Sequence, residues 1–216
     1  SFLADVLDTS DTITKLFAET SFTLRKSRVV SFFSLRANRG VDWFGANDKS
    51  EPLASRVNGD PRAWSFETLL YTNTRLTERD FASFVLQGQY AEAVLLSSDL
   101  FTIGGYGSVR GYEPAQSTGD SGASLNADLY RQFDIPDSRW YAQAGPFIDW
   151  GYVHNREPGS VLENNIYSAG LGAELNYRQS GRLVSKLRLD WAHPLVHKGL
   201  PQVDENTFYA RFTQLF

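Results

Sequence analysis

The stretch FTIGGYGSVRGYEPAQSTGDSGASLNADLYRQF, from Phe101 to Phe133, interrupts a sequence that otherwise alternates apolar and polar residues with period two. One alternating segment arrives at about Phe81 to Ala91 and the next leaves at about Ser121. The link between them, residues 93–120, is too long for a turn, and connections beyond about 12–15 residues without a period of their own are usually functional or disordered. It carries one guanidinium, Arg110, among Gly104, Gly105, Gly107 and Gly111. Glycine permits positive φ and close backbone approach. The segment is therefore read as an inserted loop that folds back into a confined space and presents Arg110 at its tip.

Outward from this loop, about nine segments carry the alternation expected of half-buried strands. Upstream, one face is formed by Leu16, Phe22 and Leu24, then Val29, Phe33 and Leu35, then Trp64, Phe66 and Leu70, then Phe84, Leu86 and Tyr90. Downstream it is formed by Leu125 and Leu129, then Trp140, Ile148 and Trp150, then Tyr167, Leu171 and Leu175, then Leu187, Leu189 and Trp191, and last Phe208, Phe212 and Phe216. The opposite faces carry Glu, Gln, Asn, Asp, Arg and Lys, which suits a wet lumen better than a dry core. There each unpaired polar group would cost roughly 1–3 kcal/mol. Tight turns near Lys26, Thr74–Arg79, Asp134–Ser138 and Gln179–Arg182 alternate with long polar connections, the first of them from Asn38 to Pro61. Antiparallel outer-membrane barrels have this asymmetry of short periplasmic turns and long external loops. Trp140 and Trp150 enclose ten residues of rise, roughly 25 Å along the membrane normal at about 3.3 Å per residue and a tilt near 40°. Aromatic residues at both edges of such a band are what interfacial girdles need.

The chain has 216 residues, no Cys, no Met and a formal net charge of -4. Without cysteine there are no disulfides, thiol nucleophiles or cysteine-based zinc sites. No basic cluster invites nucleic acid. No apolar run of about 18 residues predicts a membrane helix, but a barrel strand needs only about 9–11 residues with alternate ones apolar, so a mean hydropathy of -0.33 is compatible with a spanning protein. Ser1 to Asp11 lacks the charged start and apolar core of a secretory signal; either a signal has been removed or the chain is part of a longer one. No enzyme motif is present, and His154, His193 and His197 are read as solvated loop residues. Neither a cofactor nor a metal is expected.

Asp149 has the lumenal parity of its strand and shares that face with Phe147 and Gly151. A guanidinium and a carboxylate form a bidentate pair that fixes orientation as well as charge. From the residues alone, Arg110 and Asp149 are either such a pair or an exposed loop arginine and an unrelated strand aspartate. Phe147 would support the loop and Gly151 would leave room for it. Tyr112 and Glu113 are candidate anchors of the loop, and Asp120 is read only as the opening of the next strand.

The spelling from Ile103-Gly-Gly through Ser108-Val109-Arg110-Gly111-Tyr112 to Gly119-Asp-Ser-Gly122, followed by Phe147-Ile-Asp149-Trp-Gly151, resembles the VRGY and F-x-D-x-G motifs of polypeptide-transporting outer-membrane barrels. It is most similar to two-partner-secretion transporters of the haemolysin-activator (TpsB) type. The resemblance implies an all-β, antiparallel transmembrane β-barrel of sixteen strands preceded by two periplasmic POTRA domains, of which residues 1–216 supply the last nine or so strands and residues 93–120 the pore-entering loop. It implies a lock between Arg110 and Asp149 that must release to let a secreted partner polypeptide pass, and a place in the Gram-negative outer membrane among lipid and lipopolysaccharide. Phe216, with Phe212 and Phe208 on the same face, would then be a C-terminal signal read by the barrel assembly machinery, although Gln214 departs from the usual apolar or aromatic residue. Two other readings share these features. One is an insertase or assembly barrel of the same superfamily, and the other is a passive porin whose loop narrows the channel.

Overall fold

The computed structural model describes residues 11–215 apart from 47, 50–53, 162, 180–181, 198–199 and 201–202. Phe216 lies outside the described residues. Among the described residues eleven strands occur in chain order: β1 (Thr14–Lys26), β2 (Val29–Val41), β3 (Trp64–Arg75), β4 (Asp80–Ala91), β5 (Phe101–Ile103), β6 (Ser117–Gly119), β7 (Ser121–Asp134), β8 (Trp140–His154), β9 (Glu163–Gln179), β10 (Arg182–Pro194) and β11 (Thr207–Gln214). Nine form one antiparallel sheet in the order β1-β2-β3-β4-β7-β8-β9-β10-β11, each beside its sequence neighbour once the inserted segment is set aside. Among the described residues β5 and β6 pair only with each other. At both edges, β1 and β11 have a partner on one side only among the described residues. This all-β antiparallel wall agrees with the pattern in the sequence. Among the described residues no helix is long and apolar enough to cross a membrane, which has no bearing on crossing by strands.

Period-two alternation becomes two faces of opposite character. Phe22, Leu35, Phe66, Phe84, Leu129, Ile148, Leu171, Leu189, Phe208 and Phe212 all stand exposed on one side. A water-soluble monomer rarely leaves a contiguous apolar surface above a few hundred Å² uncovered. Trp150 pairs across with Tyr167 and Trp140 with Tyr177, so two aromatic rows lie ten residues apart on this face. The Trp140 and Tyr177 rings touch, with centroids 4.9 Å apart. On the other side, hereafter the inner face, charged and amide side chains hydrogen-bond strand to strand. Arg36 binds Glu19 and Asn38 binds Glu67 (2.8 Å).

Two boundaries differ from the sequence reading. β2 continues through Asn38 and Gly40 to Val41, where polar residues had indicated loop. The Asn38 amide is spent on inner-face partners, and Gly40 lies so close to the chain that a Cβ there would be 1.7 Å from the Pro61 carbonyl oxygen. These residues serve a crowded strand end. β11 stops at Gln214, short of the end expected at Phe216.

The β7–β8 ladder has a local gap. Register pairs run from Ser121↔His154 to Asp128↔Phe147 and resume at Arg131↔Ala144. Pro146 falls in the gap and has no N–H to give. Gly145 beside it lets the backbones close up, since a Cβ there would lie 1.9 Å from the Leu129 carbonyl oxygen. Gly145→Val should cost this wall at least the roughly 1–3 kcal/mol typical of overpacking. The expected outcome is a reduced fraction of heat-modifiable, folded protein on semi-native electrophoresis, with Gly107→Val, at a site with open space around it, as the unaffected control.

Candidate functional site

Residues 92–120 turn inward as a lobe against the inner face, and they are not structureless. The three-residue strands β5 and β6 pair Phe101 with Gly119 and Ile103 with Ser117, too short for period two to register. Beyond them the chain tightens at Gly104 (φ 109°), where a Cβ would lie 2.4 Å from the Glu113 carbonyl oxygen. The Gly105 N–H then donates to the Tyr112 carbonyl (3.1 Å) and the Gly104 N–H to the Ser108 hydroxyl (2.9 Å). Ile103, Val109 and Tyr112 pack on Val153 and Ile166 of β8 and β9, a small apolar core between lobe and wall. Gly151 makes this fit possible, because a Cβ there would be 2.8 Å from Val109 Cγ2 and 3.1 Å from Ile103 Cβ.

Arg110 is thereby delivered side chain first to the wall, and 4% of its surface remains exposed. Nε and Nη2 each donate to Asp149 at 2.7 Å, one to each carboxylate oxygen, and the Arg110 N–H adds a third bond at 3.0 Å. Nη1 and Nη2 reach Asp128 on β7 at 3.1 and 3.3 Å, and Nη1 reaches Asp190 on β10 at 3.4 Å. Phe147 lies flat beneath, its ring centre 3.4 Å from the guanidinium carbon, within cation–π range. Burial alone would lower the Arg110 pKa, but the hydrogen bonds and charges of Asp149 and Asp128 outweigh it and hold it above its ordinary value.

The neighbouring wall residues complete the charge pattern. Arg188 on β10 donates to Asp128 (2.8 Å), to both oxygens of Asp190 (2.8 Å) and to Glu174 on β9 (3.1 Å), which also takes Lys186 (3.0 Å). Three cations thus face four carboxylates. β9 contributes space through Gly170, which clears the Phe147 ring, and Gly172, which clears Asp190.

Of the residues singled out in the sequence, Arg110, Asp149, Val109, Gly111, Tyr112, Phe147 and Gly151 come together here. Gly111 adopts φ 95°, donates its N–H to the Tyr209 hydroxyl (2.9 Å) and accepts from Thr207 (3.1 Å). The Tyr112 hydroxyl donates to the Tyr167 carbonyl (2.7 Å) and accepts from the Val196 N–H (3.0 Å), and burial raises its pKa. Glu113 is exposed. Phe208 and Phe212 stand on the outer face, away from this site.

Asp128, Asp190, Arg188 and Glu174 were not singled out from the sequence, where inner-face parity was their only signal. Asp120 needs a larger correction, because it does more than open β7. Its side chain is fully buried and accepts from Arg56 (2.5 and 3.2 Å) and from the N–H groups of Leu95 (2.7 Å) and Arg156 (2.6 Å). Burial would raise its pKa, but these donors prevail and hold the carboxyl below its usual value. Its stabilising effect is therefore complete above about pH 4 and is lost as pH falls through the depressed pKa.

Residues 1–177 match the family model described as haemolysin secretion/activation protein ShlB/FhaC/HecB. The chain belongs to this family. Among solved structures, this member of the haemolysin secretion/activation family is similar to CdiB from Escherichia coli, with a TM-score of 0.77 and 20% identity over 95% of this chain and 37% of CdiB. At that identity the likeness is one of fold, and the chain spans little more than a third of CdiB's length. Comparison with curated proteins gave no match.

The atoms nearest a Cβ at Gly151 all belong to the lobe, so Gly151→Val should push the lobe off the wall while the sheet still forms. Limited proteolysis should then cut within residues 92–120 in folded protein, and adding Val109→Ala should restore part of the protection.

Proposed function

We propose that this chain is the pore wall and gate of a two-partner-secretion transporter, which passes a partner polypeptide across the Gram-negative outer membrane through a barrel closed by the inserted loop. The observation that carries this reading is the buried Arg110 guanidinium, brought by a loop to Asp149 on the inner face of an antiparallel wall whose outer face is apolar. Family membership supports the partner polypeptide and the outer membrane.

An edge strand in lipid leaves unpaired N–H and C=O groups, each costing several kcal/mol. The free sides of β1 and β11 are accordingly proposed to pair with further strands of a sixteen-stranded barrel. POTRA domains on the periplasmic side would capture the unfolded substrate. Outer-face Phe208 and Phe212 would face lipid and lipopolysaccharide, and with Phe216, outside the described residues, they would serve as the signal to the assembly machinery. The nine strands span the apolar band, and the long connections between them gather at one end, proposed as external.

In this mechanism the loop tip is the moving part. Arg110 is held by hydrogen-bonded charge, which is strong in a closed lumen and weakens once water enters. A passing polypeptide displaces the tip, and folding of the substrate outside draws the rest through. Asp149 is the fixed half of the lock, Phe147 its floor, and Val109, Gly111 and Tyr112 align the arginine.

Arg110→Ala and Asp149→Ala, each in the full-length protein, should lower secretion of the partner about tenfold or more while the barrel remains folded and inserted, because removing one member of a buried pair costs about 3–5 kcal/mol of local contact. Arg110→Lys should not rescue, since an ammonium cannot bridge both oxygens in the same plane. Normal secretion from both alanine variants would remove the lock. Free ion flow through the wild type with no secreted partner would favour the porin, and loss of other outer-membrane proteins in the variants would favour the insertase.

A further inference from the structure

The gating reading explains the tip of the inserted lobe but not its base, where a second buried arginine–aspartate pair occurs. Arg56 lies in the long connection between β2 and β3, far in sequence from the lobe. Its Nη1 donates to Asp120 Oδ1 (2.5 Å) and to the Leu95 carbonyl (2.7 Å), and its Nη2 to Asp120 Oδ2 (3.2 Å) and Asn155 Oδ1 (2.5 Å). Leu95 is where the lobe leaves the wall and Asp120 is where it returns. Asp120 also accepts the Leu95 N–H, so entry and exit are fastened directly to each other as well as through Arg56. The Arg56 segment is itself fixed. The Ser55 hydroxyl accepts from the Ser97 N–H (3.0 Å), the Asp60 N–H donates to the Val94 carbonyl (2.8 Å), and Gly59 sits against Leu96, where a Cβ would be 2.5 Å from the leucine side chain. Asn155 and the Arg156 N–H bring in the connection between β8 and β9.

We propose that Arg56 is the positioning residue of the gate's base: with Asp120 it pins both ends of the inserted lobe to the two neighbouring long connections, so that gating releases the tip at Arg110 while the base stays fixed. This rests on the gating reading of the lobe. Its physical content is a division of labour. The tip contact sets how readily the gate opens. The pinned base sets how readily it closes, because a lobe with both ends held together has far fewer arrangements to search before Arg110 meets Asp149 again. Asp120 cannot exchange roles with Arg56, since it must also accept two backbone N–H groups.

The absence of cysteine from this chain allows site-specific labelling. Spin labels at Gly107→Cys, at the exposed tip, and at Thr118→Cys, near the base, are placed in the full-length protein, alone and with Arg56→Ala, Arg56→Lys or Arg110→Ala. Arg56→Ala should raise the mobility of the label at 118 and leave that at 107 unchanged, whereas Arg110→Ala should do the reverse. In planar bilayers, Arg56→Ala should lengthen the open dwell severalfold with opening frequency unchanged, and Arg110→Ala should raise opening frequency. General weakening of the fold would move both quantities together. Arg56→Lys, which keeps the charge but not the two-pronged contact, should shift both readouts in the same direction as alanine and serves as the test should the alanine variant not assemble. Release of both labels by Arg56→Ala, or of neither, would overturn the proposal, as would a change in opening frequency. If Arg110→Ala leaves gating unaltered while the base label responds to Arg56→Ala, the gate assignment falls and the clamp stands.

Discussion

A guanidinium taken out of water must have its N–H directions answered by acceptors, and Arg110 has five to satisfy. Asp149 takes Nε and one Nη2 direction, Asp128 takes one from each terminal nitrogen, and Asp190 the last. These carboxylates come from β8, β7 and β10, so three strands must place an acid at the same height on the same face. The intervening β9 gives up side chains there, with Gly170 and Gly172 clearing space for Phe147 and Asp190. A one-residue slip of any strand would send its acid to the outer face, so the loop's charge and the sheet's register depend on each other.

The same sheet meets an opposite demand on its other side. The outer face has no partner among the described residues, and its leucines and phenylalanines favour an apolar medium over water. The inner face meets a lobe held by hydrogen-bonded charge at Arg110 and Asp120 and by two small apolar clusters, one around Val109 and Tyr112 and one around Leu95 and Ala91. Wall and lobe therefore cohere by different forces. Hydrophobic burial is insensitive to which neighbour supplies it, whereas hydrogen-bonded charge is specific and gives way to water. On the proposed gating reading, a part that leaves and returns to one place is better held by the second kind.

Much of the wall was legible in the sequence because period two is the direct imprint of two environments on a pleated strand. Trp140 to Tyr152 and Tyr167 to Tyr177 could be assigned to faces residue by residue. Boundaries failed where backbone approach set the rule: Asn38 and Gly40 look like loop residues yet finish β2. The pairing of Arg110 with Asp149 was anticipated from two short motifs, but its environment was not. Asp128, Arg188 and Asp190 are ordinary inner-face residues until the fold brings three strands to one point, and Arg56 pairs with a residue 64 positions away. No local pattern encodes a contact between two long connections, because neither has a period from which its course can be inferred.

Arg188 bears on what the wall looks like without the loop. It contacts Asp128, Asp190 and Glu174 from within the wall itself, so withdrawal of Arg110 still leaves a cation bridging these three acids. Two of the three acceptors keep a cation, and only Asp149 is stripped of its ionic partner. Phe147, the floor beneath Arg110, belongs to the wall as well. On the proposed gating reading, reversal then asks chiefly for the recapture of one side chain, which is the condition for a door that can be used many times.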